Sequence, residues 1–120
     1  MKRGTVYALH RNKDHGSHHP RNGGCAQRKM ARALEAIPGK SEDWLMCEFT
    51  DNCRLWFAGK NDAPAAFVQV KIFGKAHKEA YDRMTGAVCG VLGEELGIPA
   101  DRIYITYSEY TDWGWNGSNF

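Results

Sequence analysis

Residues 97–120, GIPADRIYITYSEYTDWGWNGSNF, decide how this chain is read. Gly97 closes a helical pattern and Pro99 sits in a loop. Residues 102–108 alternate apolar and polar as a strand does. Behind the strand stand Trp113, Trp115 and Phe120, spaced by Gly114 and Gly117 so that they cannot form one helical stripe.

Upstream of this stretch the pattern is that of one β-α-β unit. Residues 66–73, AFVQVKIF, alternate with Val68, Val70 and Ile72 on one face and Phe67, Gln69, Lys71 and Phe73 on the other. From about residue 78 to 96 the period becomes helical, with Ala80, Met84, Val88, Val91, Leu92 and Leu96 on one stripe. Gly86, Gly90 and Gly93 each weaken a helix by roughly 1 kcal/mol relative to Ala, so they are expected to permit close packing on a sheet. A strand, a long helix and a second strand make the two strands parallel.

The first half shows only the end of a matching unit. Residues 27–37 are helical, with Met30, Ala33, Leu34 and Ile37 on one stripe and Pro38-Gly39 as the stop. Residues 43–50 read as a strand and residues 53–57 as a short antiparallel one. Before them stands NKDHGSHHPRNGGC, too rich in Gly, Pro and Asn for an amphipathic helix, with no apolar strand ahead of it. The sequence therefore predicts an α+β fold. Two β-α-β units build a four-stranded mixed sheet with two helices on one face, the first strand and the start of the first helix being missing.

Composition bounds the function. At 120 residues this is one domain, and 25% charged with 42% hydrophobic residues is ordinary for a globular chain. A net charge of +2 without a Lys/Arg stripe argues against a nucleic acid partner. No apolar run approaches the ~20 residues that span a membrane, and the start has no apolar signal-peptide core. Four cysteines without a C-x-x-C pair fit a reduced, cytoplasmic protein.

The loop Asp101-Arg102 leading into Ile103-Tyr104-Ile105, followed by Gly114-Trp115-Asn116 and a terminal Phe120, resembles the macrophage migration inhibitory factor family of tautomerases. The resemblance extends back to about Gln27, so the domain is expected over residues 27–120. It implies a homotrimer whose three sheets join into a barrel. It also implies keto–enol tautomerisation of phenylpyruvate-like or dopachrome-like compounds, without a cofactor. The alternative is a non-catalytic trimeric binding protein with a cytokine-like signalling role, and the family also allows secretion without a signal peptide.

Tautomerisation needs a base poised near neutral pH and a group that holds the developing enolate. In the family the base is the secondary amine of an N-terminal proline, and an α-amino group titrates near 7.7–8.0 unperturbed. Counting back from Gly39-Lys40, which looks like the family's lysine after a helix-ending glycine, places that proline near Leu9. None is there, so no catalytic residue is assigned, and the chain as written is expected to be inactive and to fold poorly.

A shifted reading frame supplies one. Under one synonymous spelling, the codons of Tyr7 onward, TAT-GCC-CTT-CAT-CGC-AAC-AAA-GAC-CAC, read one nucleotide later as Met-Pro-Phe-Ile-Ala-Thr-Lys-Thr. Residues 1–26 are accordingly read as an anomalous segment translated in the wrong frame.

The resemblance implies a set of substrate-binding residues. Lys40 would bind a carboxylate and lower the amine's pKa; without the family it is a surface lysine at a helix C-terminus, outside the core. Tyr104 would enter a neighbouring subunit's pocket, with Thr106 two residues on along the same face. Phe73 and Trp44 match pocket positions, and Trp113, Trp115 and Phe120 would line the mouth where an aromatic substrate stacks. Without the family each aromatic reads as core or interface packing. His10, His15, His18, His19 and Cys25 match no zinc spacing, so no metal is expected.

Overall fold

The computed structural model describes residues 5–12, 20–40 and 42–119, with side-chain surroundings from residue 27 onward except at 42, 51 and 52. Strand β1 (Thr5–Asn12) is followed by helix α1 (Pro20–Leu34) and strand β2 (Leu45–Cys53). Strand β3 (Ala66–Phe73), helix α2 (Lys78–Leu96) and strand β4 (Ile103–Tyr110) form the second unit. The sheet order is β2-β1-β3-β4. β1 runs parallel to β2, β3 parallel to β4, and the two units meet antiparallel at β1 and β3. Two β-α-β units in one mixed sheet is the α+β arrangement the periodicities imply.

Two expectations about the front of the chain are overturned. A strand does precede α1, with Thr5 opposite Leu45 on one side and Ile72 on the other. The physical reason is that the slot lies between two strands whose N–H and C=O groups face it, and any extended segment can satisfy them through its backbone alone. α1 likewise opens at Pro20 and runs through Gly23 and Gly24. Proline is tolerated in the first turn of a helix, where no intrahelical partner exists for its nitrogen.

The core lies between the sheet and both helices. Met30, Ala33, Leu34 and Ile37 meet Val68, Val70 and Ile72 and the α2 stripe Met84, Val88, Leu92 and Leu96. Each large side chain removed from water contributes about 1.5–3 kcal/mol, and Leu92→Ala would cost about 2–5 kcal/mol. Lys29 Nζ bonds Glu94 at 2.8 Å and also meets Glu95, tying α1 to α2.

The α2 glycines do not pack on the sheet. The buried positions recur every four residues from Ala80 to Leu96, which leaves Gly86, Gly90 and Gly93 on the exposed side. A Cβ added at Gly86 or Gly90 would meet nothing within 4 Å. Gly97, at φ 67°, ends the helix in the left-handed conformation that glycine adopts without steric cost.

The strand expected at residues 53–57 is also absent. Cys53 is the end of β2, and Phe57 makes only an isolated antiparallel bridge with Lys60. Ala58 and Gly59 both have positive φ, 53° and 76°, so the chain turns back after two residues instead of extending.

Candidate functional site

Lys40 follows Gly39, whose φ of 82° turns the chain out of α1. Its backbone N–H donates to Ile37 O at 3.2 Å, and its ammonium donates to Phe73 O, at the end of β3, at 2.7 Å. The side chain is only 8% exposed, which corrects the expectation of a surface lysine outside the core. Burial pushes its pKa down, because the charged form loses hydration. Among the described residues it is the one buried charged side chain, and an ammonium with one carbonyl partner has donors left for an incoming anion.

Aromatic side chains gather at the same end of the sheet. Trp44 lies in the 3-10 turn Glu42–Trp44, directly before β2. Its ring meets Trp115 edge to face, with centroids 5.3 Å apart. Trp115 is delivered by a hairpin of two short strands, β5 (Gly114–Trp115) and β6 (Ser118–Asn119). Asn116 and Gly117 at its tip have φ of 52° and 89°, as a type I′ turn requires. Trp113 packs edge to face on Tyr110 at 5.8 Å. Gly74 N donates to Tyr110 O at 2.9 Å, so the Phe73 end of β3 and the start of the tail are tied together. Phe120 lies outside the described residues.

Tyr104 and Thr106 are elsewhere. Tyr104 pairs with Phe67 and Thr106 with Gln69, toward the opposite end of β3 from Phe73. The six steps from Phe67 to Phe73 span about 20 Å at the rise of a strand. Both side chains stand on the sheet face away from the helices, and Tyr104 is 60% exposed. One copy of the chain therefore assembles Lys40, Trp44, Phe73, Trp113 and Trp115 at one end and Tyr104 with Thr106 toward the other.

Three features escaped the sequence. The Asn116-Gly117 pair between Trp115 and Ser118 is a strong hairpin signal and could have placed the tail. Arg102, two residues before Tyr104, donates to Pro64 O at 3.0 Å and to Ala63 O at 3.1 Å. Glu109 accepts from Tyr81 OH at 2.6 Å and Ala76 N–H at 3.3 Å, which holds its carboxyl below the usual range. The last two are long-range contacts with no local signature.

His15, His18 and His19 lie outside the described residues, as do the side chains of His10 and Cys25. Among the described residues no group of three His, Cys, Asp or Glu side chains could hold a metal ion. No described helix is long and apolar enough to cross a membrane.

The fold has counterparts among known proteins. The chain is similar to MIF2 of Leishmania major, with a TM-score of 0.87, 28% identity and full coverage of both chains. It is also similar to the macrophage migration inhibitory factor homologue of Prochlorococcus marinus, with a TM-score of 0.77 and 29% identity over 96% of this chain and 98% of that one. By sequence, the macrophage migration inhibitory factor of Mus musculus is 29% identical over 94 residues, 77% of this chain and 81% of that protein. The family described as "Macrophage migration inhibitory factor (MIF)" matches residues 24–120. With that match over most of its length and the same fold in its solved relatives, the chain belongs to the macrophage migration inhibitory factor family.

Proposed function

We propose that the chain is a subunit of a keto–enol tautomerase of the phenylpyruvate or dopachrome type, acting as a homotrimer on a small aromatic keto or enol acid. The observation that carries the reading is the division of the site. Lys40 is buried beside Phe73, at the end where Trp44 meets Trp115, and Tyr104 is exposed toward the other. A second copy docked head to tail would bring its Tyr104 and Thr106 to the first copy's Lys40. An exposed tyrosine and exposed Met46, at 69%, on an open sheet face are apolar surface that association would cover.

In this reading the Lys40 ammonium takes the substrate carboxylate. Trp44, Trp113, Trp115 and Phe120 stack on its ring, and Phe73 forms a wall. The base is the secondary amine of an N-terminal proline, which residues 1–26 as written do not supply. That segment is read as wrong-frame translation, whose backbone at residues 5–12 and 20–26 still fills the central strand and opens α1 of the domain that continues over residues 27–120. The shifted frame begins Met-Pro-Phe-Ile and would fill the central strand slot from a proline.

The alternative is a trimeric binding protein with a cytokine-like role, which keeps both half-sites and dispenses with the base. The family setting is compatible with a cytoplasmic protein and with release lacking a signal peptide. The test uses two forms identical from Gln27, one carrying the written front and one beginning with the shifted-frame residues. Both are followed by sedimentation equilibrium and by phenylpyruvate turnover. The reading expects a trimer, turnover only in the Met-Pro form, and loss of most of the rate when that proline becomes alanine. A monomer at micromolar concentration, or full activity of the written chain, would overturn it. Sequencing the gene from the codon of Tyr7 to that of Lys29 checks the frame directly.

A further inference from the structure

Tyr104 stands near the start of β4, which among the described residues has a strand neighbour on one side only. A 60% exposed tyrosine at a sheet edge would ordinarily sample several rotamers. Here its ring is met by Phe57, with centroids 5.2 Å apart and the planes inclined by 55°. An aromatic neighbour at such a distance biases the conformer by about three- to tenfold.

Phe57 is itself fixed by a tight turn. Its N–H donates to Lys60 O at 2.8 Å, and Lys60 N–H donates back to Phe57 O at 3.0 Å. The turn needs Ala58 at φ 53°, a conformation rare for a residue with a Cβ and one that persists when its surroundings over-determine it.

The over-determination comes from Arg102. Its Nε donates to Pro64 O at 3.0 Å, and its Nη2 donates to Ala63 O at 3.1 Å and Lys60 O at 3.5 Å. Its guanidinium carbon lies 5.5 Å from the centre of the Phe57 ring. One planar fork thus closes the loop after the turn and holds the ring that faces Tyr104. Lys could supply the charge but not the fork.

We propose that Arg102 and Phe57 are positioning residues for Tyr104. They hold its ring in the direction that a second copy's site requires, and so set the affinity of the completed site for an aromatic ligand. The proposal rests on the shared-site reading of the function. Neither residue touches the ligand; both act through the tyrosine.

The experiment uses the full chain labelled with 3-fluorotyrosine, with the Tyr104 signal assigned by its absence in Tyr104→Phe. Phenylpyruvate is the probe, its binding followed by tryptophan emission, and sedimentation confirms that each variant keeps the parent's oligomeric state. In Arg102→Lys and in Phe57→Leu, the fluorine signal of Tyr104 is expected to move toward that of an exposed tyrosine. Phenylpyruvate Kd is expected to weaken about three- to tenfold. Phe57→Leu removes the ring while leaving the guanidinium network in place, so a folding defect of the Arg102 variant does not decide the outcome. An unmoved Tyr104 signal in both variants overturns the proposal, and so does a moved signal with unchanged Kd. If Tyr104→Ala binds phenylpyruvate like the parent, the shared-site reading fails together with the affinity claim. That result is told apart by the fluorine signal, which needs no ligand.

Discussion

The ammonium of Lys40 and the carbonyl of Phe73, 33 positions apart in sequence, meet at 2.7 Å. The bond joins the exit of the first β-α-β unit's helix to the last residue of the second unit's first strand. It holds a cation at the sheet end where the tail tryptophans converge, and burial holds that cation's pKa below the ordinary lysine value.

Lys40→Met keeps the length of the side chain and removes the charge. In the Met-Pro form the KM for a carboxylate substrate is expected to rise roughly ten- to hundredfold, the loss of a charge-assisted hydrogen bond of about 1.5–3 kcal/mol. Stability is expected to change little, because relief from burying an ammonium offsets the loss of its hydrogen bond to Phe73 O. In the parent, KM should climb as pH rises through the depressed lysine pKa, since the bound form is the cation. Steady-state kinetics across pH check both, and an unchanged KM in the variant would remove Lys40 from the site.

Glu109 is held below the usual carboxylate range first by the Tyr81 hydroxyl and then by the Ala76 N–H. A carboxylate whose folded pKa is depressed stabilises the fold above its unfolded value, and that contribution is lost as pH falls through the folded value. Glu109→Gln should therefore flatten the fall in stability between about pH 5 and pH 3. Denaturant midpoints measured across that range decide the matter, and parallel curves would show that the clamp is not titrating.

Gly86 and Gly90 lie mid-helix, exposed, with open space where a Cβ would go. Alanine at either position should stabilise by about 0.4–1 kcal/mol, since it restricts the unfolded chain and suits the helix. Thermal melts of the two single variants and the double should rise in steps. A fall in Tm would mean that another copy of the chain covers this face.

The Cys47 thiol is pushed up to about 12 by burial, and Cys89 is raised for the same reason. Both should resist iodoacetamide near pH 8, by at least about a hundredfold at Cys47 relative to the unfolded chain, because the thiolate is the reactive form. Peptide mapping after timed alkylation reads each rate separately. Rapid labelling of Cys47 in the native protein would contradict its burial.

How much of this was legible differed by region. The bounds of β3 and α2, the parallel pairing of β3 with β4, and the buried stripe from Ala80 to Leu96 followed from periodicity, because burial of one face imposes it. The front of the chain was misread because a central strand is held by backbone bonds on both sides, which leave no mark on side-chain pattern. The α2 glycines were misread because a helical period shows which positions share a face, while the close approach of a backbone depends on the partner element.

The sequence by itself determined the two-unit α+β plan, its family, and which residues carry charge and aromatic rings in the tail and at Lys40. Only the tertiary structure decided that Lys40 is buried on the Phe73 carbonyl and that Trp115 folds back onto Trp44. It also placed Tyr104 about 20 Å away along the strand, under the hold of Arg102 and Phe57. The physical reason is range. Periodicity and turn chemistry act over a few residues, whereas hydrogen bonds and ring contacts between distant segments exist only once the sheet has set their register.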